Sequence, residues 1–210
     1  MSNQCPLCFT KSSVFYQHKN RRYLQCDRCS GIFLDPALRL DRNAEKQRYL
    51  SHNNDVEDLG YQQFVSPITA AILNDFSPEQ IGLDFGAGTG PVISKVLNDN
   101  QFVIKQYDPF FQPHAELLQQ QYDYIVCCEV MEHFYQPNKE FALLKRLLKK
   151  GGRLYCMTDI YHVGIDFQHW SYKNDPSHVF FYHRDSLAYI KNEFSFSSLI
   201  IDGRLITYCN

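Results

Sequence analysis

The stretch "LDFGAGTGP", residues 83–91, constrains the fold more than any other part of the chain. It follows an apolar run that predicts a short strand, and Pro91 opens a segment that predicts a helix. Glycines occupy alternate positions between them: Gly86, Gly88 and Gly90. Glycines let the backbone turn sharply and approach a ligand, which then meets the N–H groups at the start of the helix. A strand-to-helix turn without a ligand has the same pattern, so the loop alone leaves both interpretations open.

Strand-like and helix-like segments alternate from about residue 80 to the end of the chain. The predicted strands are Ile81–Phe85, Phe102–Tyr107, Tyr122–Cys128 and one that follows the glycines at 151 and 152. The predicted helices are Pro91–Asn98, Asn138–Leu148 and Asp185–Glu193. Residues 194–209 predict a hairpin around Asp202 and Gly203. The expected fold class is therefore α/β, with a Rossmann-like, mostly parallel sheet that ends in a C-terminal antiparallel hairpin.

One connection in this pattern is unusually short. About fourteen residues separate Asp108 from Tyr122, too few for the helix, strand and helix expected there. We therefore expect one strand of the sheet to be vestigial.

An acidic residue ends the strand that follows the glycine loop. Asp108 lies about twenty residues beyond the glycines, where a carboxylate can accept hydrogen bonds from both hydroxyls of a ribose. Folds that bind NAD and folds that bind S-adenosylmethionine share this arrangement. The loop is GxGxG rather than GxGxxG, and the chain ends in a hairpin. Both features favour S-adenosylmethionine, which has no pyrophosphate to hold.

Two CxxC pairs near the start of the chain predict a metal site formed by Cys5, Cys8, Cys26 and Cys29. Their spacing is typical of a four-cysteine zinc site, and "SSVFYQH" and "RRYLQC" between them predict a hairpin. We predict a small zinc ribbon over residues 1–36, with a structural zinc ion because four thiolates leave no open position. A redox dithiol is the competing interpretation, but it usually has one CxxC beside a βαβ unit.

The other four cysteines are Cys127, Cys128, Cys156 and Cys209. They lie in or near apolar runs and are expected to pack as small hydrophobic residues. Between the two units, residues 37–79 predict a helical linker and a lead-in helix, before a cofactor-binding domain over 80–210. Within that segment, "SHNNDVED" predicts a loop, and apolar residues recur with helical spacing from Gly60 to Phe76.

Charge and hydropathy limit the function classes. The chain has a net charge of −2, and its first 50 residues carry nine Lys/Arg against four Asp/Glu. A zinc ion with four thiolates would reduce that excess of +5 to about +3, well below the basic patch of a protein that binds phosphate backbones. No apolar stretch is long enough to span a membrane, and "MSNQCPLC" has no signal-peptide features. A cytoplasmic location and no membrane partner are expected.

Six blocks of sequence, taken in order, resemble the class I S-adenosylmethionine-dependent methyltransferases, and among them a bacterial group with an N-terminal zinc ribbon. The blocks are "YLSHNNDVEDLGYQQF", "LDFGAGTGP", "YDPFF", "YDYIVCCEVMEHF", "LLKKGGRLYCMT" and "WSYKNDPSHVFFY", and together they cover nearly the whole chain. The resemblance implies a cofactor site formed by Asp84, Gly86, Gly88, Gly90, Asp108, Pro109, Phe110 and Glu129.

In that implied site, the glycines pass beneath the methionine portion of the cofactor, and Asp84 lies at the base of the loop. Asp108 holds the ribose, Pro109 and Phe110 flank the adenine, and Glu129 borders the pocket.

His133 is implied to border the same pocket, although with Glu132 it stands in a turn that is often structural in this fold. The chain departs from the group's pattern where Ala87 and Thr89 replace a cysteine and a proline, and where Ser177 replaces a threonine. All three changes are small and leave the glycines intact.

Residues 159–183 are dense in His, Tyr, Trp and Asp and begin beyond the carboxyl end of a predicted strand, where ligands of such sheets bind. Methyl transfer needs an aligned nucleophile and, for an O–H or N–H acceptor, removal of a proton. The candidate bases or orienting residues are His169, Asp175 and His178, with Trp170 and Tyr172 as pocket walls. Asp175-Pro176 is also a turn signature, so Asp175 and His178 are open to a purely structural interpretation.

The leading prediction is an enzyme that methylates a small-molecule acceptor, with S-adenosylmethionine and a structural zinc ion. A second hypothesis is an RNA methyltransferase that docks its substrate on the ribbon through Lys11, Lys19, Arg21, Arg22 and Arg28, with Tyr16 and Tyr23. A third is a non-catalytic zinc-ribbon interaction protein.

Overall fold

The computed structural model describes residues 4–51 and 55–210. Its strands are β1 (Ser12–His18), β2 (Arg21–Cys26), β3 (Ile32–Leu34), β4 (Ile81–Phe85), β5 (Val103–Tyr107), β6 (Tyr122–Cys128), β7 (Leu148–Met157), β8 (Phe180–Phe181), β9 (Ser198–Asp202) and β10 (Leu205–Cys209). Its helices are α1 (Arg42–Leu50), α2 (Leu59–Asp75), α3 (Val92–Asp99), α4 (Pro137–Leu147) and α5 (Arg184–Glu193).

The larger sheet has the strand order β5-β4-β6-β7-β10-β9. The first four strands are parallel, whereas β10 pairs antiparallel with both β7 and β9. Residues 108–121, all of them described, contain no strand, only an isolated bridge between Asp108 and Gln112 and a 3-10 turn over Ala115–Gln119. The predicted α/β sheet, its C-terminal antiparallel hairpin and its vestigial strand are therefore confirmed.

Helices cover both faces of this sheet. On one face, α2 and α3 bury an apolar stripe that includes Ile68, Ile72 and Ile93. On the other, α4 and α5 bury Phe141 and Ile190 among others. Each such side chain contributes about 1.5–3 kcal/mol on burial, which fixes the helices on the sheet and hence the loops at its edge.

The helix and strand bounds predicted from periodicity lie within two residues of those observed, with two exceptions. The closing hairpin is predicted from residue 194 but begins at Ser198, and β7 begins earlier than predicted. A strand is predicted to follow Gly151 and Gly152, but β7 already begins at Leu148 and runs through both glycines. A Cβ at Gly152 would lie 2.8 Å from the carbonyl oxygen of Asp123 on β6. The glycine therefore serves a close approach between two strands, which local sequence does not reveal.

The first part of the chain forms a second, antiparallel sheet with the order β1-β2-β3-β8. Its fourth strand, β8, comes from far along the chain, and Phe180 stacks on Phe33 with ring centroids 6.3 Å apart. The cysteine cluster shares a continuous core with the α4–α5 face of the larger sheet. The division into 1–36, 37–79 and 80–210 stays a prediction.

The cysteine-rich turns also contact the starts of two helices. The carbonyl oxygen of Leu7 accepts a hydrogen bond from Asn138 Nδ2 at 2.9 Å, beside the N-terminus of α4. The carbonyl oxygen of Cys29 accepts one from Ser186 Oγ at 2.7 Å, in the first turn of α5. The antiparallel sheet β1-β2-β3-β8 and its cysteine-rich turns, called the ribbon below, therefore pack against the α/β sheet through polar as well as apolar contacts.

The loop predicted over 51–58 includes residues 52–54, which lie outside the described residues, as do residues 1–3 of the predicted ribbon. In the part of the chain that is described, no helix is both long and apolar enough to cross a membrane.

Candidate functional site

The glycine loop has the backbone that its sequence predicts. Gly86 and Gly88 have φ angles of +86° and +63°, a region that side chains rarely adopt. A Cβ at Gly86 would lie 2.5 Å from Val130 Cγ2, whereas a Cβ at Gly88 would meet nothing within 4 Å. Gly86 is therefore required by packing, and Gly88 borders open space.

The amide groups of this loop are already bonded to the end of β5. Gly86 N and Ala87 N donate to the carbonyl oxygen of Tyr107 at 2.8 and 3.1 Å, and Gly88 N donates to Asp108 Oδ2 at 3.0 Å. Loops that hold a pyrophosphate need such N–H groups for the ligand. The loop thus suits a ligand without a pyrophosphate.

Asp108 fastens two loops together. Besides Gly88, it accepts hydrogen bonds from Phe110 N at 2.8 Å and Phe111 N at 3.0 Å, both at Oδ1. An ionised carboxylate has about four acceptor positions, so about one remains after these three bonds. The carboxylate is nearly buried and lines the main cavity.

That cavity has a volume of about 600 Å³ and lies at the carboxyl ends of β4, β5 and β6. Of the residues predicted from sequence, these line it: Gly86, Gly88, Asp108, Pro109, Phe110, Glu129, His133, Asp175 and His178. Its size is that of a small-molecule or cofactor site.

Three of the residues predicted to bind the cofactor or to act in catalysis do not line the cavity. Asp84 is buried behind the loop and accepts a hydrogen bond from Ser94 Oγ on α3 at 2.8 Å. Burial raises the pKa of Asp84 to about 6, although the bond from Ser94 lowers it. Gly90 lies beyond the lining residues. His169 is exposed and bonded to Asp166, at a separate shallow cavity beside the ribbon.

One wall of the cavity is formed by residues that were not among those predicted from the sequence. Arg42, Glu45 and Tyr49 of α1 and Tyr61 and Phe64 of α2 line it. The helical spacing of Tyr61 and Phe64 was a usable signal, because an aromatic face needs a partner. The sequence of the polar helix α1 gave no signal that it borders a cavity. It does so through contacts that only the fold creates, such as the Arg42 guanidinium 4.7 Å from the centre of the Phe110 ring.

Two histidine rings on the cavity wall meet edge to face, with centroids 4.8 Å apart, and the His133 ring also lies 5.3 Å from the Tyr49 ring of α1. His133 Nδ1 donates to the carbonyl oxygen of Ser177 at 2.9 Å, and His178 Nδ1 donates to that of Tyr172 at 2.7 Å. Because a carbonyl only accepts, both Nδ1 atoms carry the proton and both Nε2 atoms keep a lone pair. Burial lowers the pKa of His133 and lowers that of His178 to about 4, so both rings are neutral at pH 7.

Two carboxyl groups lie beside the histidines: Glu132 is fully buried, and Glu129 is partly exposed and lines the cavity. The Tyr172 hydroxyl donates to Glu132 Oε1 at 2.5 Å and lies 3.2 Å from Glu129 Oε2, and Arg204 Nη2 donates to Glu129 Oε1 at 2.8 Å. Burial raises the pKa of Glu129 to about 8 and that of Glu132 to about 7. Tyr172 therefore lies in this network rather than on the cavity wall.

Asp175 is held in a tight turn next to His178. Its carboxylate accepts hydrogen bonds from Ser177 N at 2.9 Å and from Arg48 Nη2 at 2.6 Å. Burial raises the pKa of Asp175, but the bonds from Ser177 and Arg48 outweigh it and hold the pKa well below its usual range. Trp170, the other predicted wall, donates instead to Asp159 Oδ2 at 3.2 Å.

The four N-terminal cysteines converge as predicted from their spacing. Their Sγ atoms lie within 4.8 Å of one another and all four residues are buried. The Cys5–Cys29 and Cys8–Cys26 sulfur pairs are 3.6 and 3.2 Å apart, against about 3.8 Å in a tetrahedron with Zn–S bonds of about 2.3 Å. Sharing a proton with Cys5, together with burial, raises the pKa of Cys29, so four adjacent thiolates need a cation to offset their charge. The donor set fits zinc.

Solved structures of methyltransferases share this fold. Magnesium protoporphyrin IX methyltransferase from Synechocystis PCC 6803, solved with bound SAH, has a TM-score of 0.54 and 17% identity over 80% of this chain and 94% of that chain. The 1,6-didemethyltoxoflavin-N1-methyltransferase of Burkholderia thailandensis has a TM-score of 0.55 and 15% identity over 94% of this chain and 99% of that chain. It was solved with bound 1,6-didemethyltoxoflavin and S-adenosylhomocysteine. An Archaeoglobus fulgidus SAM-dependent methyltransferase has a TM-score of 0.55 and 14% identity over 71% of this chain and 94% of that chain.

A family model described as a methyltransferase domain matches residues 39–197, about three quarters of the chain. The chain therefore belongs to this methyltransferase domain family, and the prediction of an S-adenosylmethionine-dependent methyltransferase is confirmed. The match begins ahead of α1, so it includes the helices that close the cavity. Comparison with curated proteins found no match.

Proposed function

We propose that this protein transfers the methyl group of S-adenosylmethionine to a small-molecule acceptor in the main cavity. The observation that carries the proposal is the convergence of the glycine loop, Asp108 and His178 on one cavity at the carboxyl ends of parallel strands. Bound S-adenosylmethionine supplies a methyl group on a sulfonium sulfur. The acceptor atom bonds to the methyl carbon while the carbon–sulfur bond breaks, leaving its electron pair on sulfur, and the acceptor loses its proton.

For the cofactor, we assign Asp108 to the ribose through its remaining acceptor position. Gly88 leaves room for the cofactor's amino-acid portion, and Pro109 and Phe110 border the adenine. Glu129 lies at the far side of the same cavity. Asp84 and Gly90 lie off the cavity and maintain the shape of the loop, whereas Gly86 lines the cavity and is required there by its close packing against Val130.

For the acceptor, we assign His178 as the residue that meets its reacting side. The ring is neutral, and its Nδ1–H donates a hydrogen bond to a backbone carbonyl. Its Nε2 atom therefore keeps a lone pair that is available to a ligand. Asp175 is a positioning residue, because its bonds to Ser177 and Arg48 fix the turn that carries His178. His169 has no part in this assignment, since it lies at another cavity.

A small acceptor is favoured by the size of the cavity and by the Burkholderia relative, which was solved with a small organic molecule bound. The RNA hypothesis loses support because residues proposed to contact RNA are engaged within the protein. Tyr23 is buried, and Arg22 Nε donates to Asp35 Oδ2 at 2.7 Å. We further propose that Zn²⁺ bound by Cys5, Cys8, Cys26 and Cys29 has a structural role.

The test is calorimetric titration of the zinc-loaded protein with S-adenosylmethionine. We expect micromolar binding, and at least a tenfold loss in Asp108→Ala, which is about 1.4 kcal/mol. The loss has two sources: a ribose contact disappears, and three backbone N–H groups lose their acceptor. An exposed substitution, His169→Ala, serves as the matched control and should bind like the wild type. A folded wild-type protein that does not bind the cofactor would refute the proposal.

A further inference from the structure

Three potential metal ligands converge at the acceptor end of the main cavity. Glu132, His133 and His178 each offer a donor atom, and these atoms all lie within 4.8 Å of one another. His178 Nε2 is 4.0 Å from Glu132 Oε1. Both histidines line the cavity, whereas Glu132 is completely buried beneath them.

The two imidazoles are arranged as metal ligands usually are. In such sites the second ring nitrogen donates to a backbone carbonyl or carboxylate, which fixes the tautomer and the ring orientation. His133 and His178 both donate from Nδ1 to carbonyl oxygens, of Ser177 and Tyr172. In the described part of the chain, neither Nε2 atom has a hydrogen-bond partner, so both lone pairs are available.

The local charge also favours a cation. Two carboxyl groups share one hydrogen-bonded network: Glu132 is fully buried, Glu129 is partly exposed, and Arg204 donates to Glu129. Buried charges are tolerated when they are paired or coordinate a metal. A divalent cation between Glu132 and the two histidines would pair with the Glu132 carboxylate and accept the two imidazole lone pairs.

We propose that Glu132, His133 and His178 bind a divalent transition-metal ion whose open coordination positions face the main cavity and hold an oxygen of the methyl acceptor. Two imidazoles and one carboxylate suit Mn²⁺, Fe²⁺, Co²⁺ or Zn²⁺, whereas Mg²⁺ and Ca²⁺ prefer oxygen ligands alone. At bond lengths of about 2.1 Å, neighbouring donors stand about 3 Å apart, so Glu132 and His178 approach each other by about 1 Å on binding.

This inference rests on the proposed function and narrows its acceptor to an oxygen nucleophile. Coordination of a hydroxyl to a cation lowers its pKa, so the acceptor is deprotonated near neutral pH and the proton passes to water. His178 then acts as a ligand, which accounts for a ring that is neutral and fixed at Nδ1.

The test is titration of Mn²⁺ into the zinc-loaded protein, followed by the electron paramagnetic resonance signal of the free ion. We expect one bound ion per chain and at least a tenfold weaker affinity in His178→Ala and in His133→Ala, about 1.4 kcal/mol each. His114→Ala, which alters an exposed histidine beside Glu116, is the matched control and should bind like the wild type. Zinc content is measured in each sample, so that exchange at the cysteine site is not counted.

Parallel calorimetry with S-adenosylmethionine separates the two proposals. A protein that binds the cofactor but not Mn²⁺, or whose Mn²⁺ affinity is the same in His178→Ala and His133→Ala as in the wild type, would overturn the metal site and leave the proposed function standing. A protein that binds Mn²⁺ through these histidines but not the cofactor would overturn the proposed function. If His178→Ala does not fold, His178→Asn replaces it, because its amide can still donate to the Tyr172 carbonyl.

Discussion

Single residues in this site carry out two tasks, one structural and one directed at ligands. Asp108 holds three backbone N–H groups before any ligand arrives, and His178 is tied to a backbone carbonyl. What remains, one carboxylate position and one imidazole lone pair, is already oriented when a ligand binds. Such preorganisation reduces the entropy lost on binding and on reaction.

Asp84 gives a prediction at this scale, because its pKa of about 6 lies above the ordinary value of 3.8. Below about pH 4 the carboxyl is protonated in both the folded and unfolded states and has no effect. Above about pH 6 it is charged in both, and the folded state bears the burial cost, roughly 3 kcal/mol. The free energy of unfolding should therefore fall between pH 4 and pH 6, relative to that of Asp84→Asn.

The measurement is urea denaturation of the wild type and of Asp84→Asn, both zinc-loaded, at several pH values. Other titrating groups act equally in both proteins, so the quantity followed with pH is the difference between their free energies of unfolding. The asparagine side chain of the variant keeps an oxygen that can accept the hydrogen bond from Ser94, which makes the pair a matched one. A difference that does not change with pH would mean that Asp84 is not titrating in this range.

At the scale of elements, the fourth strand of the ribbon sheet joins distant parts of the chain. β8 lies between the acceptor-side turn with His178 and helix α5, and it pairs with β3. Its Phe180 ring packs against Gly31, where an added Cβ would lie 2.5 Å from Phe180 Cζ. The ribbon is thereby coupled to the turn that carries the acceptor-side histidine.

Gly31→Ala should destabilise the protein through that contact. Pushing a ring out of a packed core costs about 1–3 kcal/mol. Gly60→Ala, at an exposed position in the first turn of α2, is the control. Alanine favours helix, and its Cβ would meet only Asp58 Oδ1, at 3.1 Å, so a much smaller cost than that of Gly31→Ala is expected. Chemical denaturation measures both.

A double mutant tests whether the contact with Phe180 causes the destabilisation by Gly31→Ala. If the clash with Phe180 is responsible, Phe180→Leu should cost less stability in the Gly31→Ala background than in the wild type. Equal costs in the two backgrounds would argue against this contact.

At the scale of the whole molecule, the ribbon and the α/β sheet form one packed structure. The cysteine cluster belongs to the same apolar core as α4 and α5, and the carbonyl oxygens of Leu7 and Cys29 accept bonds from Asn138 and Ser186. A metal in the ribbon would therefore stabilise the catalytic sheet as well. A ribbon that only docked a partner would not need such contacts.

Removal of zinc should accordingly unfold the protein as one unit. We expect Cys26→Ser to give a single thermal transition with Tm lowered by about 10 °C or more, equivalent to about 3–5 kcal/mol, and weaker S-adenosylmethionine binding. Cys209→Ser, in β10 and away from the ribbon, is the control. Two separate transitions, with cofactor binding unchanged, would show that the ribbon folds independently.

The sequence predicted most of what depends on local spacing. The alternation of strands and helices, the shortened connection after Asp108 and the convergence of the four cysteines all follow from periodicity, chain length or motif spacing. The glycine loop and Asp108 were found because a ligand site at the end of a parallel strand has a fixed local pattern. In contrast, His169 was proposed because its His- and Tyr-rich segment begins beyond the carboxyl end of a strand, and the fold places it at another cavity.

What the sequence by itself determined is thus the α/β fold, the convergence of the four N-terminal cysteines and the glycine loop that borders the cavity. Only the tertiary structure placed α1 over that cavity, inserted β8 into the ribbon sheet and set His133 beside His178 with both Nε2 atoms available. The physical reason is that the first group follows from backbone geometry over a few residues. The second follows from contacts between segments tens of residues apart, which leave no periodic signal in the chain.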